Sequence, residues 1–398
     1  IKETNGGNPA TFRVHSNSMK TFIEPYRIKV VEPIKFTTVE QRRSILQDAK
    51  YNLFNLRSDD VIIDLLTDSG TAAMSAQQWA SIMDADESYA GARSYYRFEK
   101  AVREFFGFEH VIPVHQGRAA ERLLFEQTIK VGQIIPSNTH FDTTRANIER
   151  LGGIAVDLAC DQSLAQPFKG NIDLKSLEKL LQEKSDRIPF GMLTLTNNAC
   201  AGQPVAMENV KATATMLRRY GKPLFIDAAR IAENAYFIRQ AQQNAGLPCH
   251  SVADIIREIM SHADGCLMSC KKDALANMGG LISLNDSALC AQLRQSMVIT
   301  EGFPSYGGLS GRDLEAVAAG LAEVTDIDYL NHRWQTAMTL AEDLQAENIP
   351  VVVPPAMHAI YIDASKFLSH LPAEQLPDRR WPVSYTLSPV FALAKLAK

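Results

Sequence analysis

The chain has 398 residues, 46% hydrophobic and 22% charged, a globular balance that suggests two or three packed units. Its net charge of −4, with both signs interspersed, gives no electrostatic reason to expect nucleic acid or an anionic membrane as a partner. No apolar run approaches the roughly 18 to 20 residues that a membrane span needs, and the polar start lacks the apolar centre of a secretory signal.

The chain begins with Ile1 and its first methionine is Met19, so residues 1–18 read as a non-native or disordered leader. Residues 19–74 precede the regular pattern and are expected to join a smaller domain. From about 110 to 285, short apolar runs alternate with amphipathic, charge-dotted stretches. "HVIPVHQG", "QIIPSN", "IAVDLAC", "GMLTLTNN", "PLFIDAAR", "GCLMSC" and "GGLISLN" read as buried strands. "DLKSLEKLLQEKS" and "VKATATMLRRYG" read as helices, the second closed by Gly221. This alternation predicts an α/β fold with a largely parallel sheet covered on both faces, in a large domain over 75–325. Beyond "SYGGLSGRD" the chain turns helical, and "IPVVVPP" and "HAIYIDA" read as strands of the small domain, which begins at 326 and runs to 377. The six cysteines show no CxxC pair and no metal-ligand spacing, which predicts reduced thiols in a cytoplasmic protein.

In such sheets ligands sit beyond the carboxyl ends of the strands, so the strand ends carry the functional question. At "VHQGRAAERLLF", Gln116 and Gly117 lead a strand into a helix. Exposed amides and Arg118 there could grip a phosphate, although the same residues also make an ordinary turn with a surface arginine. In "FIDAARIAENAYF", Asp227 ends an apolar run as either a helix cap or a functional carboxylate, with Arg230 three residues on. In "SCKKDALANMGG", a lysine desolvated at a strand end beside a second cation has a lowered pKa and is a better amine nucleophile. A solvated Lys271–Lys272 pair is the plain alternative. In "SNTHFDTTR", Phe141 is either a core residue or a ring that stacks on a ligand beside Asp142 and Thr143. Taken together, a phosphate cup, an aromatic, an acid and a lysine in the order Arg118, Phe141, Asp227, Lys272 are what pyridoxal phosphate requires. The lysine forms a Schiff base, the acid keeps the pyridine nitrogen protonated, and that charge lowers the acid's own pKa.

The strings "DLLTDSGT", "DESYAG", "HQGRAAE", "FDTTRA", "GQPV", "ENAYFI", "MSCKKD" and "EGFPSYGGLSGRD" carry a resemblance that spans about Glu24 to Pro377. They resemble the β-eliminating lyases that use pyridoxal phosphate. The resemblance implies the aspartate-aminotransferase-like fold (fold type I) and a homotetramer with sites at subunit interfaces. It makes Lys272 the Schiff-base lysine and gives the phosphate to Gln116, Gly117, Arg118, Ser269 and Lys271. Asp227 would pair with the ring nitrogen, Arg230 and Asn198 would lie near the ring hydroxyl, and Phe141 would stack on the ring. Tyr89 would reach a neighbouring subunit's site and act near the leaving group. Thr67 and Ser69 would lie near the substrate carboxylate. Gly70, Glu87 and Asn277 match the family's potassium ligands. The family contains activities that release indole from L-tryptophan or phenol from tyrosine. Asp142 directly after Phe141, with "GARSYY" and "EGFPSYGG", favours the indole-releasing one, giving pyruvate and ammonia as co-products. The phenol-releasing activity and an inactive cofactor-binding remnant stay open as alternatives.

The resemblance stops after "AEQLP". Family members continue beyond this length and draw a carboxylate-binding arginine from that part. The tail 378–398 matches nothing expected, yet codons can be chosen so that a shifted frame reads S-A-L-A-C-E-L-Y, as the family does there. A single-base frameshift is therefore the expectation for residues 378–398.

Overall fold

The computed structural model describes residues 24–27, 33–64, 67, 69–70, 73–160, 167–370 and 386–387. The expected leader 1–18 lies outside the described residues, as does the tail 378–398 except for 386–387. The chain opens with helix α1 (Val39–Asp48), started by a capping box between Thr38 and Gln41. A second capping box, Ser75 with Gln78, starts α2 (Ala76–Met83), and α3 (Arg93–Phe106) ends at Gly107 in the left-handed conformation.

Seven strands then alternate with helices. They are β1 (His110–Val114), β2 (Ile134–Ser137), β3 (Ile154–Asp157), β4 (Gly191–Thr194), β5 (Leu224–Asp227), β6 (Gly265–Ser269) and β7 (Gly280–Leu284). Between them run α4 (Gly117–Thr128), α5 (Asp142–Arg150), α6 (Leu174–Lys184), α7 (Met207–Arg219), α8 (Ile231–Asn244) and α9 (Val252–Ser261). The chain continues through α10 (Ser287–Thr300), α11 (Gly311–Glu323) and α12 (Ile327–Ala346). All seven strands read from the sequence are present. Five form one sheet in the order β1-β7-β6-β5-β4, with β2 and β3 paired beside it. The pairs β4–β5, β5–β6 and β2–β3 are parallel, whereas β7 runs antiparallel to both β6 and β1. The link from β6 to β7 is therefore a short return, and it carries the two lysines.

Alternation along the strands explains the double burial. Val111, Leu193, Ile226, Cys266 and Leu281 point into one core cluster, and their neighbours Ile112, Met192, Phe225, Leu267 and Ile282 into the other. With both faces apolar, the charged residues of these strands are confined to their ends, and Ser283 inside β7 is satisfied by donating to His110 O at 2.9 Å.

The strand "IPVVVPP" does not form. Val351 makes one isolated bridge to Ile362, and only Ile362–Asp363 (β8) pairs further, with Thr386–Leu387 (β9). Pro350, Pro354 and Pro355 have no N–H to give a ladder, so the run passes as a loop held by Val352 N to Tyr361 O (2.8 Å) and Asp363 N to Pro350 O (2.8 Å). Early in the chain, Tyr26 OH lies 3.3 Å from His332 Nε2 on α12, which brings residues 24–27 to that helix. None of the six cysteines forms a disulfide. Among the described residues no helix is long and apolar enough to cross a membrane.

Gly280 marks where β7 crosses behind the β1–α4 turn. A Cβ there would stand 2.5 Å from the Gln116 carbonyl carbon and 2.7 Å from Gly117 N. Gly280→Ala is therefore expected to lower stability by about 1–3 kcal/mol in chemical denaturation, as overpacking does; an unchanged midpoint would contradict this placement.

Candidate active site

The carboxyl ends of β4, β5 and β6 and the first turn of α4 enclose one cavity. Ser69, Gln116, Gly117, Arg118, Phe141, Asn198, Asp227, Arg230, Ser269, Lys271 and Lys272 all line it. Eleven of the residues singled out by sequence thus meet in one place, although they span 204 positions from Ser69 to Lys272 (272 − 69 + 1).

One end of the cavity is built for an anion. The N-cap of α4 is Gln116, whose side chain makes no cap hydrogen bond, so the amides of the first turn are left to face a ligand. A Cβ on Gly117 would lie 2.7 Å from Ser269 Cβ, so only glycine lets strand β6 and the helix close the cup. Arg118, Ser269 and Lys271 add cationic and hydroxyl donors around it. Lys272 Nζ donates to Ser269 Oγ at 3.0 Å, which aims the amine along the cavity wall. Behind the pair, Gly70 N donates to Lys271 O (2.7 Å) and Asn277 Nδ2 donates to Gly70 O (2.8 Å), pinning Ser69 beside the lysines.

At the other end stands Asp227. It accepts from Ala229 N at 3.1 Å, a local turn and not the expected helix cap, since the N-cap of α8 is Arg230. Its carboxyl opens to the cavity but is otherwise enclosed by protein. Burial raises its pKa, while the Ala229 amide, Lys272 and Arg230 pull the other way. The lowering expected from a cation at the ring nitrogen is thus opposed by burial, and a carboxylate so placed favours a cationic partner. Thr194, which pairs with Asp227 across β4 and β5, keeps a buried hydroxyl with no partner in the protein. The donors at one end, the acid at the other and the Phe141 ring between them fit a phosphorylated pyridine.

Behind Asn198 lies a charge network that sequence reading missed. His358 Nε2 is 2.8 Å from Asn198 Oδ1, and its Nδ1 lies 2.9 and 3.0 Å from the Glu233 carboxylate oxygens. Glu233 also accepts from Met357 N (3.1 Å) and faces Arg333 at 3.8 Å, while Arg333 reaches Asp273 at 3.7 Å. Asp273, next to Lys272, accepts from Ala232 N and Glu233 N and so caps α8. Burial alone would raise Glu233, but His358, Arg333 and Arg230 hold it below the usual carboxylate range. Burial and Arg230 push His358 below an ordinary imidazole. The one sequence signal was a glutamate inside the apolar string "IAENAYF".

Other expected residues lie apart from the cavity. Asp142 is exposed in the first turn of α5, between two lining residues, Phe141 and Thr143. Thr67 is exposed and its hydroxyl donates to Asp64 Oδ2 at 2.6 Å. Tyr89 is 63% exposed and packs on Phe303 and Tyr306 rather than on its own chain's cavity. Of the potassium set, Gly70 and Asn277 are hydrogen-bonded, whereas Glu87 accepts from Gly311 N (3.0 Å) and pairs with Arg312.

A mostly parallel sheet with a lysine, an acid and a phosphate cup at its strand ends defines a pyridoxal-phosphate enzyme of fold type I. A chain of the SepCysS–SepCysE N-terminal domain complex shares this fold. It has a TM-score of 0.54 and 13% identity, covering 76% of this chain and 80% of that one. Residues 64–383 match the family described as beta-eliminating lyase. The chain is 54% identical over 363 residues to the tryptophanase of Hyphomonas neptunium, covering 90% of this chain and 80% of that one. It is 54% identical to the tryptophanase of Salinibacter ruber, covering 77% of it, and 47% identical to the tyrosine phenol-lyase of Pasteurella multocida, covering 78% of it. The chain belongs to the β-eliminating lyase family.

The Glu233 network yields a pH prediction. A folded pKa below the unfolded one gives stability that is complete above the unfolded value and lost as pH falls through the folded one. Glu233→Gln should cost about 3 kcal/mol at neutral pH, by removing the buried carboxylate that His358, Arg333 and Arg230 face. That gap should close on acidification in denaturant titrations; a gap that holds steady at low pH would contradict the assignment.

Proposed function

We propose that the chain catalyses α,β-elimination of L-tryptophan to indole, pyruvate and ammonia, with pyridoxal phosphate as cofactor. The observation that carries this reading is the difference in likeness within the family. Three tryptophanases share 50–54% identity with the chain, against 46–48% for four tyrosine phenol-lyases and 47% for one probable tryptophanase. Asp142 directly after Phe141 supports it from the sequence.

Pyridoxal phosphate, when bound, supplies a carbonyl for the substrate amine and a ring that draws electrons from the α-carbon. Gln116, Gly117, Arg118, Ser269 and Lys271 would hold its phosphate, and Phe141 would lie against its ring. Asp227 would hold a proton at the ring nitrogen, and Asn198 and Arg230 would orient the ring hydroxyl. Lys272 Nζ is the amine for covalent attachment and the base for the substrate's α-proton, with Ser269 Oγ at 3.0 Å to steer it. Protonation at the indole ring carbon then releases indole. The aminoacrylate left behind takes up water and yields pyruvate and ammonia, so the atoms balance. Tyr89 would serve that proton in a neighbouring subunit of a homotetramer, which suits its exposure here, and Asp142 would contact the indole. Ser69 would bind the substrate carboxylate together with Thr67, once Thr67 is released from Asp64. Gly70 and Asn277, with Glu87, would bind a potassium ion through oxygen ligands, as a hard cation prefers.

The purified chain, loaded with pyridoxal phosphate in potassium buffer, is expected to release indole and pyruvate in equal amounts from tryptophan. Phenol from tyrosine in preference to indole would overturn the reading in favour of the other family activity. Bound cofactor with neither product would mark an inactive remnant. Lys272→Ala is expected to abolish the absorbance band of the attached cofactor and all turnover, whereas Lys271→Ala should keep the band and weaken cofactor affinity by about tenfold, the loss of one charge-assisted phosphate contact.

A further inference from the structure

Glu121 stands on α4 four residues beyond Gly117 and three beyond Arg118, one helical turn behind the phosphate cup. It lines the same cavity and is only 6% exposed. Each carboxyl oxygen takes a hydrogen bond from α5: Thr144 Oγ1 donates to Oε1 at 2.6 Å, and Asn147 Nδ2 donates to Oε2 at 3.1 Å. Both partners are neutral, and among the described residues Glu121 forms no ion pair. Arg118 and Lys271 line the same cavity but form no ion pair with Glu121, and two neighbouring arginines are paired with other acids. Arg122 on its own helix pairs with Glu301 (3.3 Å), and Arg145 on α5 pairs with Asp157 (2.5 Å) and Glu149 (3.3 Å). Asp227 on β5 faces the shared cavity with the same sign of charge, and Lys272 and Arg230 act on Asp227. Asp142 and Arg150 on α5, His110 on β1, His115 after it, Cys266 on β6, and Cys290 and Arg294 on α10 are the further titratable or charged groups on elements packed against α4. A staple between helices would need no carboxyl. Burial beside a second acid, with no cation bonded to it, favours the protonated form against the pull of these donors. The proton can be turned to Thr144 Oγ1, a hydroxyl that accepts as well as donates.

We propose that Glu121 is a further residue of the cofactor site, present as the uncharged acid, which ties the phosphate-cup helix to the helix bearing the stacking ring while keeping a second carboxylate charge out of the cavity. This rests on the pyridoxal phosphate reading above. Burial pushes the Glu121 carboxyl up to about 7; the Thr144 hydrogen bond draws it down, and the charge of Asp227 drives it up again. A phosphate held one turn away would favour the protonated form further, since like charges in one enclosed site cannot both be accommodated cheaply. The linkage then has a fixed sign: cofactor affinity falls as rising pH ionises Glu121 in the unloaded protein.

The test measures dissociation constants for pyridoxal phosphate by equilibrium dialysis, on the full chain and on Glu121→Gln, from about pH 6 to about pH 9. The two proteins are expected to bind alike at the acid end. At the alkaline end the glutamine variant should bind about tenfold more tightly than the wild type, because one unit of linked pKa shift is a factor of ten. Thr144→Val, which removes a hydrogen bond that favours the ionised carboxylate, should move the wild-type loss of affinity to higher pH and gives the same answer if the glutamine variant fails to fold. Parallel pH profiles for the wild type and Glu121→Gln would overturn the inference while leaving the cofactor reading intact. So would weak binding by Glu121→Gln at every pH with unchanged thermal unfolding. Absence of pyridoxal phosphate binding by the wild type at any pH would sink both.

Discussion

The burial of both faces of the central sheet sets everything else in this protein. Val111 and Ile112, Met192 and Leu193, Phe225 and Ile226 point alternately into two apolar clusters, leaving no position along those strands for a charge. Charged and hydrogen-bonding side chains are displaced to the strand ends, where Asp227, Ser269 and the lysines gather around one cavity. The antiparallel entry of β7 sharpens this. By returning at once beside β6, it presses Gly280 against the Gln116–Gly117 turn and confines the Lys271–Lys272 segment between the sheet and Gly70.

Enclosure makes the charges of the site interdependent. Asp227, Glu121, Glu233 and Asp273 are four acids set into a region of low solvent access, and each has a different solution. Glu233 is held ionised by His358, Arg333 and Arg230. Burial raises Asp273, yet Arg333 and the α8 amides stabilise it. Asp227 faces Lys272 and Arg230 across the cavity, and Glu121 meets only neutral donors and another acid. The consequence is a cavity that gathers the fixed cations Arg118, Lys271 and Lys272 and the buried acid Asp227 in one lining. The His358 bridge joins the loop after α12 to Asn198, so that loop backs a residue of the cavity wall without lining the cavity itself.

Much of this was legible along the chain. A lysine pair or an aspartate that ends an apolar run is conspicuous, because the run predicts a buried strand and the charge must lie at its mouth. Glu121 was not legible: "AAERLLF" reads as an amphipathic helix, and nothing local says that this glutamate faces the apolar side. His358 and Asn198 are 160 positions apart, and no periodicity links them. The direction of β7 was hidden for a related reason, since a buried run has the same composition whichever way it pairs. "IPVVVPP" misled because its valines suit a strand while its prolines remove the donors a strand needs. Thr67 and Tyr89 came from family likeness alone, and in one chain neither reaches the cavity. Tyr89 is instead exposed on an aromatic cluster with Phe303 and Tyr306.

The central claim is that Lys272, not its neighbour, is the amine that carries the cofactor. Borohydride reduction of the chain loaded with pyridoxal phosphate, followed by peptide mass mapping, tests it directly. The account predicts a single reduced pyridoxyl adduct on Lys272, with Lys271 unmodified. An adduct on Lys271, or one spread over surface lysines with Lys272 bare, would contradict it.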